Sequence, residues 1–193
     1  MDIKQEIEAK VLEAQRQLHE AVAALQAGGV ILHATEGVWG FACDPFDANA
    51  VQMILDLKGR EANKGFIVIA AAARYFHNQL ETLSEDQRQT VEATWPGPHT
   101  WILPDDFYPQ IIRGGRNTLA CRVPGHDQAR RLCELLDKPV ISTSANLSGQ
   151  PGIVTQQQAQ ALFGERVAYL LPGAVLVPGK ASTIHTLDGA ILR

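Results

Sequence analysis

The chain has 193 residues, of which 46% are hydrophobic and 20% charged, as in an ordinary soluble globular protein. It contains no apolar run long enough to span a bilayer, and its charged start lacks the apolar stretch of a signal peptide. A formal net charge of -4 argues against coating nucleic acid by bulk electrostatics, although it permits a local basic face. We therefore expect a cytoplasmic protein with no membrane segment and a single domain over residues 1–193.

The hydrophobic pattern predicts helices that alternate irregularly with short buried strands. Helices are predicted over residues 3–26, 48–57, 84–94 and 128–136. Strands are predicted over residues 30–32, 66–70, 100–103, 118–123, 140–141, 169–171, 174–176, 182–184 and 190–192. Gly28 and Gly59 end the first two helices, and Ser84 caps the third. This mixture predicts an α/β fold: a single domain with a mixed, twisted sheet flanked by helices.

Neither the cysteines nor the histidines indicate a metal site. The three cysteines are Cys43, Cys121 and Cys133, and they lack the spacing of a zinc site or a disulfide framework. We expect them to be buried, reduced thiols. Five of the six histidines are scattered without metal-ligand spacing, and no chemistry is assigned to His33, His77, His99, His126 or His185.

The most informative segment is residues 140–149. Two β-branched apolar residues precede four hydroxyl side chains, one amide and a closing glycine. This order predicts a buried strand that opens into a polar loop at its carboxyl end, where α/β proteins bind ligands. Short hydroxyl and amide side chains can donate and accept around a phosphate, a ribose or an amino acid. The segment alone leaves open a turn whose hydroxyls satisfy local backbone groups.

A basic tripeptide follows the second predicted helix. Lys58 and Arg60 flank Gly59, and because Gly59 ends the helix, the two cationic side chains could converge on one anion. Arginine offers a planar bidentate fork and lysine a point charge, which suits phosphate or carboxylate. The alternative is a favourable cation at a helix C-terminus, worth about 0.3–1 kcal/mol.

Two further pairs of residues are candidate ligand groups. Thr118 and Arg122 are four residues apart on a predicted strand, so they share a face that could hold a carboxylate or phosphate. A surface ion pair of Arg122 is the alternative. Thr35 and Glu36 lie at the end of the first strand, where a ligand loop would sit. Glu36 is equally well explained as a helix cap or as the partner of a cation.

Six short motifs in a fixed order resemble those of the YrdC-like threonylcarbamoyl-AMP synthase family, in its bacterial single-domain form. In chain order they are Ala-Thr-Glu at 34–36, Lys-Gly-Arg-Glu at 58–61, Pro-Gly-Pro-His-Thr at 96–100, Cys-Arg-Val-Pro at 121–124, Ser-Thr-Ser-Ala-Asn-Leu-Ser-Gly at 142–149 and Ala-Ser-Thr at 181–183. No single tripeptide is specific, but their order is. Ala34, Glu61 and Ala181 stand where the family usually has proline, so three ligand loops are expected to be looser or differently shaped.

The resemblance implies a nucleotidyltransferase that makes threonylcarbamoyl-AMP from L-threonine, bicarbonate or CO2, and ATP, with release of pyrophosphate. Mg²⁺ is expected on the ATP phosphates, with no metal ligand from protein side chains. The resemblance implies that the product passes, through transient contact, to a downstream threonylcarbamoyl-transferase complex that modifies tRNA beside the anticodon.

The resemblance also implies roles for individual residues. Lys58 and Arg60 are the expected catalytic pair, holding the ATP phosphates near the reacting centre. The threonine site is expected from Thr35, Ser142 and Ser182, with Arg122 on the carboxylate. The remaining nucleotide contacts are expected from Thr118, Ser144 and Asn146, with Arg193 closing over the nucleotide.

Two other functions are weighed against this one. The same fold could act as a non-catalytic binding protein for tRNA or double-stranded RNA, through a concave face that carries Lys58, Arg60, Lys64, Arg113 and Arg116. A carbamoyl-adenylate step in metallocentre maturation is the third hypothesis, but its relatives carry acylphosphatase and zinc-finger segments that this sequence lacks. Threonine-dependent ATP turnover distinguishes the synthase from the RNA-binding protein.

Overall fold

The computed structural model describes residues 2–192 of the chain. Its helices are α1 (Ile3–Gln26), α2 (Ala48–Lys58), α3 (His77–Leu80), α4 (Glu85–Ala93), α5 (Gln110–Arg113), α6 (Asp127–Leu136) and α7 (Gln156–Phe163). Its strands are β1 (Ile31–Ala34), β2 (Trp39–Ala42), β3 (Ile67–Ile69), β4 (His99–Pro104), β5 (Thr118–Arg122), β6 (Val140–Ile141), β7 (Thr143–Ser144), β8 (Tyr169–Leu170) and β9 (Thr183–Thr186).

The strands form two mixed sheets. One has the order β7-β2-β1-β8, with β1 antiparallel to β2 and parallel to β8. The other has the order β6-β3-β5-β4-β9, with β5 parallel to β3 and antiparallel to β4. The α/β class with mixed sheets and flanking helices is confirmed, and the strands divide between two sheets where the sequence pattern indicated one.

Between β6 and β7 the chain passes from one sheet to the other through a single residue. β6 pairs with β3 in the five-stranded sheet, and β7 pairs with β2 in the four-stranded sheet. Ser142 lies between them, and its backbone N–H donates to the Ile67 carbonyl at 2.9 Å. The hydroxyl-rich segment is therefore held at the junction of both sheets.

Apolar packing holds the sheets and helices in place. β1 is buried along its whole length, and the side chains of Trp39 and Phe41 on β2 are fully buried. On the other side of the core, the C-terminal half of α1 packs with α6, through side chains that include Leu18, Leu25 and Leu132. The N-terminal part of α1, over residues 3–16, is exposed.

Most of the predicted elements are confirmed near their predicted bounds. Ser84 caps α4, its hydroxyl accepting from the Gln87 N–H, and Gly59 ends α2 in the left-handed conformation. The strand predicted over residues 174–176 is wrong, because the N–H groups of Leu176 and Val177 bond to the Glu36 carbonyl instead of to a strand. The strand predicted over residues 190–192 is reduced to an isolated bridge at Ile191.

Two findings bear on the expected class of protein. Within residues 2–192, no helix combines the length and the apolar character needed to cross a membrane. Cys43, Cys121 and Cys133 are free and buried, as expected. Burial raises the pKa of the Cys133 thiol to about 12, so this thiol is protonated near neutral pH.

The first prediction concerns the turn between Lys58 and Arg60. Gly59 has φ of 55°, and a Cβ added there would meet no atom within 4 Å. Gly59→Ala should therefore lower the free energy of unfolding by about 1 kcal/mol through backbone strain alone. Gly59→Asn should cost less, because asparagine tolerates this conformation better. Urea denaturation measures both, and an alanine variant as stable as the parent would contradict the assignment.

Candidate active site

Both sheets contribute to the wall of one cavity of about 600 Å³. The four-stranded sheet supplies residues of β2 and β7, and the five-stranded sheet supplies alternate residues of β5. These are Thr118, Ala120 and Arg122, which confirms that Thr118 and Arg122 share a face. The volume lies in the range of small-molecule and cofactor sites.

The lining is cationic and rich in hydroxyl groups. Cationic residues on the wall are Arg60, Lys64, Arg113, Arg116, Arg122 and Lys180. Hydroxyl and amide side chains on the wall include Thr35, Thr118, Ser142, Thr143, Ser144, Asn146 and Ser182. Among the described residues that line the cavity there is no aspartate or glutamate. The cavity therefore suits a polyanion that also carries hydrogen-bonding groups.

Lys58 lies behind the hydroxyl-rich loop. Lys58 is only 2% exposed. Its ammonium donates to the Ser144 carbonyl, to the Asn146 carbonyl at 3.1 Å and to Asn146 Oδ1 at 2.8 Å. The Ser144 hydroxyl donates to the same Oδ1 at 2.6 Å. In this structure Lys58 thus positions two residues of the wall, and direct contact with a phosphate stays a prediction.

Arg60 reaches the cavity from the other side of Gly59. Its guanidinium lies over the Phe66 ring, 5.5 Å from the centroid, and donates to the Gly65 carbonyl at 2.7 Å. Burial, and secondarily the charge of Arg60, lowers the pKa of Lys58 to about 8. The charge of Arg60 therefore acts on Lys58, and the convergence of both side chains on one anion stays a prediction. Glu61 keeps φ of -69°, close to the value that a proline ring would impose.

Arg122 is paired within the protein. Its guanidinium lies 2.5 Å from Glu36 Oε1 and its Nε donates to the Gly97 carbonyl at 3.2 Å. Glu36 also accepts from the Gly125 N–H at 2.5 Å. The alternative of a surface ion pair for Arg122 is wrong, because both side chains are largely buried, whereas Glu36 as the partner of a cation is confirmed. Burial lowers the pKa of Arg122, and Glu36 opposes that shift.

The other predicted threonine contacts also line the cavity. The Thr35 hydroxyl donates to the Val38 carbonyl at 2.8 Å, so its oxygen can accept from a ligand. The Ser182 and Thr100 hydroxyl oxygens are 3.0 Å apart and share a hydrogen bond. Arg193 lies outside the described residues, and its predicted contact with the nucleotide stays a prediction. Leu192, the residue before it, lines the cavity.

A segment over residues 176–181 closes one edge of the cavity. The Gly179 N–H donates to the Gly37 carbonyl at 2.8 Å, and Lys180 and Ala181 line the wall. A Cβ on Gly37 would lie 1.8 Å from the Lys180 carbonyl oxygen, so only glycine fits this crossing. The sequence pattern misses Lys180 as a wall residue, because nothing local indicates that this segment packs on Gly37.

His33 is a second residue that sequence reasoning missed. The ring is fully buried in β1, and its Nε2 is 3.2 Å from the Ser142 hydroxyl oxygen. A polar residue inside the apolar run at 30–34 was the available signal. The run explains burial of the ring but does not reveal the contact with Ser142, which is 109 positions away.

The second prediction uses the lowered pKa of Lys58. The side chain is charged below about pH 8 and neutral above it. The neutral amine binds the oxygens of Ser144 and Asn146 more weakly than the ammonium does. We therefore expect the affinity for ATP, measured by calorimetry, to fall as the pH rises through this value. Lys58→Arg keeps its charge at these pH values and is the matched control. An affinity that does not change with pH in the parent, or that falls identically in both proteins, would contradict this role.

The third prediction concerns the buried ion pair. Arg122→Ala leaves the Glu36 carboxylate without its counter-charge and should lower the free energy of unfolding by about 3 kcal/mol. Adding Glu36→Gln should recover part of that loss, because the neutral amide is cheaper to bury. Urea denaturation of the two single variants and the double variant measures the coupling. Strictly additive losses would show that the pair is energetically unimportant.

Comparisons with known proteins agree with the motif order. A family model described as telomere recombination, which unites Sua5, YciO and YrdC, matches residues 23–193. The threonylcarbamoyl-AMP synthase of Halorhodospira halophila is 41% identical over 158 residues, covering 81% of this chain and 83% of the relative. That of Nitrosococcus oceani is 44% identical over 154 residues, covering 79% and 83%.

Solved structures share the fold. P. abyssi Sua5 complexed with L-threonine matches with a TM-score of 0.84 and 29% identity, over 91% of this chain and 53% of that one. This chain therefore spans about half the length of Sua5. E. coli YciO matches with a TM-score of 0.81 over 93% of this chain and 89% of its own, at 23% identity, which shows the fold alone. On the match over residues 23–193 and the identity to curated relatives, the chain belongs to the Sua5/YciO/YrdC family.

Proposed function

We propose that this protein is an L-threonylcarbamoyladenylate synthase, which joins L-threonine, bicarbonate or CO2, and ATP and releases pyrophosphate. The observation that carries the proposal is the cavity wall, where Arg60, Arg122, the 142–146 loop and Ser182 meet although they are far apart in the chain. A triphosphate needs the cations, and a hydroxy amino acid needs the short donors and acceptors beside them. The activity of the curated relatives favours an enzyme over a binding protein.

The proposed chemistry has two steps. The threonine amine attacks CO2 and loses a proton, which forms a carbamate. A carbamate oxygen then attacks the α-phosphorus of ATP, the bond to the bridging oxygen breaks, and pyrophosphate leaves with that electron pair. Arg60, Lys64 and Arg116 on the wall would balance the charge of the phosphates. The protein thus contributes chiefly position and electrostatic stabilisation.

The amino acid is proposed to bind beside Ser142 and Arg122. The guanidinium of Arg122 is fixed by Glu36 and Gly97, so it would receive the carboxylate with little loss of side-chain freedom. Thr35, Ser142 and Ser182 supply hydroxyl groups that can pair with the amine and the hydroxyl of threonine. Ser144, Asn146 and Thr118 remain for the nucleotide, with the first two held by Lys58.

Mg²⁺ is proposed to accompany the triphosphate. When bound, it would neutralise charge on the leaving pyrophosphate. The described cavity wall offers hydroxyl and amide oxygens and no carboxylate, so it does not fit a resident magnesium site.

The RNA-binding alternative rests on the same cations. Arg60, Lys64, Arg113 and Arg116 do line the concavity, but Lys58 is buried. Arg113 is engaged internally, since it donates to the Tyr108 carbonyl at 2.8 Å and the Asp105 carbonyl at 2.9 Å. The site therefore favours the enzyme. Passage of the product to a tRNA-modifying transferase complex, and a cytoplasmic location, belong to the same proposal.

The fourth prediction tests the proposed function directly. Pyrophosphate release with ATP, Mg²⁺ and bicarbonate should depend on L-threonine. A site that pairs the substrate hydroxyl should reject L-valine by as much as about 10⁴-fold. L-Serine lacks only a methyl group, worth roughly 1–3 kcal/mol, so it should be used measurably. Equal turnover of valine and threonine would contradict the amino-acid site, and RNA binding without threonine-dependent turnover would favour the alternative.

A further inference from the structure

His33 is a polar ring in the apolar interior of the four-stranded sheet. It is fully buried, as are Ile31 and Leu32 before it, and it lies opposite Gly40 in the register of β1 and β2. Burying a polar ring nitrogen without a hydrogen-bond partner is unfavourable, because the nitrogen loses its hydrogen bonds to water. Among the described residues Nδ1 has no hydrogen-bond partner, so the contact that needs an explanation is the one made by Nε2.

The ring contacts the cavity wall from behind. His33 Nε2 lies 3.2 Å from the Ser142 hydroxyl oxygen, and Ser142 lines the cavity. Gly40 also lines the cavity, and a Cβ added to Gly40 would lie 3.5 Å from both Nε2 and that oxygen. The hydrogen bond thus lies beside Gly40 and Ser142, two residues of the cavity wall.

The ring is neutral near physiological pH. Burial is the main cause that lowers the pKa of His33 to about 3, and the charges of His126 and Arg122 act in the same direction. A neutral imidazole has one donor and one acceptor nitrogen, so Nε2 can either donate to Ser142 or accept from it. In both tautomers the contact restricts rotation of the Ser142 hydroxyl and leaves its remaining hydrogen-bonding capacity for the cavity.

We propose that His33 is a positioning residue: through Ser142 it orients one hydroxyl group towards the amino-acid substrate and so strengthens the binding of threonine. The inference rests on the proposed function, because it gives Ser142 a role in the threonine site. His33 itself touches no substrate. A merely structural histidine would fill volume in the sheet without affecting the amino acid that is bound.

The experiment compares two amide substitutions that differ by one methylene. His33→Gln can place its amide nitrogen near the position of Nε2, whereas His33→Asn is too short to reach Ser142. Both are combined with Ser142→Ala, and the KM for L-threonine and kcat are measured by pyrophosphate release. Thermal unfolding of each variant, and the KM for ATP, report general damage to the fold.

The expected pattern is a selective effect on threonine. His33→Asn should raise the KM for threonine about five- to tenfold, as expected for one hydrogen bond, with kcat and the KM for ATP nearly unchanged. His33→Gln should retain most of the parental KM. In the Ser142→Ala background, His33→Asn should have little further effect, because its partner is already gone.

Four results would overturn the inference. An unchanged threonine KM in a folded His33→Asn variant shows that the contact does not matter. Equal loss in the Asn and Gln variants, or multiplication of the two effects in the double variant, shows that His33 acts independently of Ser142. If the parent releases no pyrophosphate in response to threonine, the proposed function fails and the inference falls with it. If the parent responds to threonine and the His33→Asn variant keeps the parental KM, the role of His33 is disproved and the proposed function stands.

Discussion

The structure depends on one constraint: within five residues the chain must form strand pairs in two different sheets. Val140 and Ile141 pair in one sheet, Thr143 and Ser144 pair in the other, and Ser142 lies between them. The side chains of this junction cannot all point into an apolar core, because Ser142, Thr143 and Ser144 line the cavity. Small polar residues meet the requirement, since they satisfy backbone groups and leave room for a ligand.

A buried ammonium holds the segment that follows. Lys58 is the last residue of α2, and it donates to backbone and side-chain oxygens of Ser144 and Asn146. A buried charge is unfavourable unless it is well hydrogen-bonded, and here several oxygens accept hydrogen bonds from the ammonium. The same arrangement makes the loop sensitive to the charge state of Lys58. Positive charge is concentrated behind and along the wall, which prepares the cavity for an anionic ligand.

Local signals predicted much of the fold. Ser84 and Gly59 identified the ends of helices because capping and left-handed conformations act within a few residues. Strand β2 was missed because the glycine at position 40 interrupts its apolar pattern. Helix α7 was missed because it is mostly glutamine and alanine and buries only Ala159 and Phe163. The division into two sheets depends on long-range pairing, which periodicity does not contain.

The motifs predicted the composition of the site better than its internal contacts. Arg122 and Ser182 were expected at one site and both line the cavity. The spacing of the motifs did not specify three internal contacts. These are the contact of buried Lys58 with Ser144, the ion pair of Arg122 with Glu36 and the contact of His33 with Ser142. Each joins residues more than eighty positions apart, and such contacts are fixed by how the two sheets pack.

We propose that nucleotide and amino acid share the cavity between the sheets. A crystal structure with L-threonine and a non-hydrolysable ATP analogue tests it most directly. The triphosphate should lie against Arg60, and the threonine hydroxyl or amine should lie within hydrogen-bond distance of Ser142. Clear density for both ligands at another surface, with this cavity empty, would contradict it.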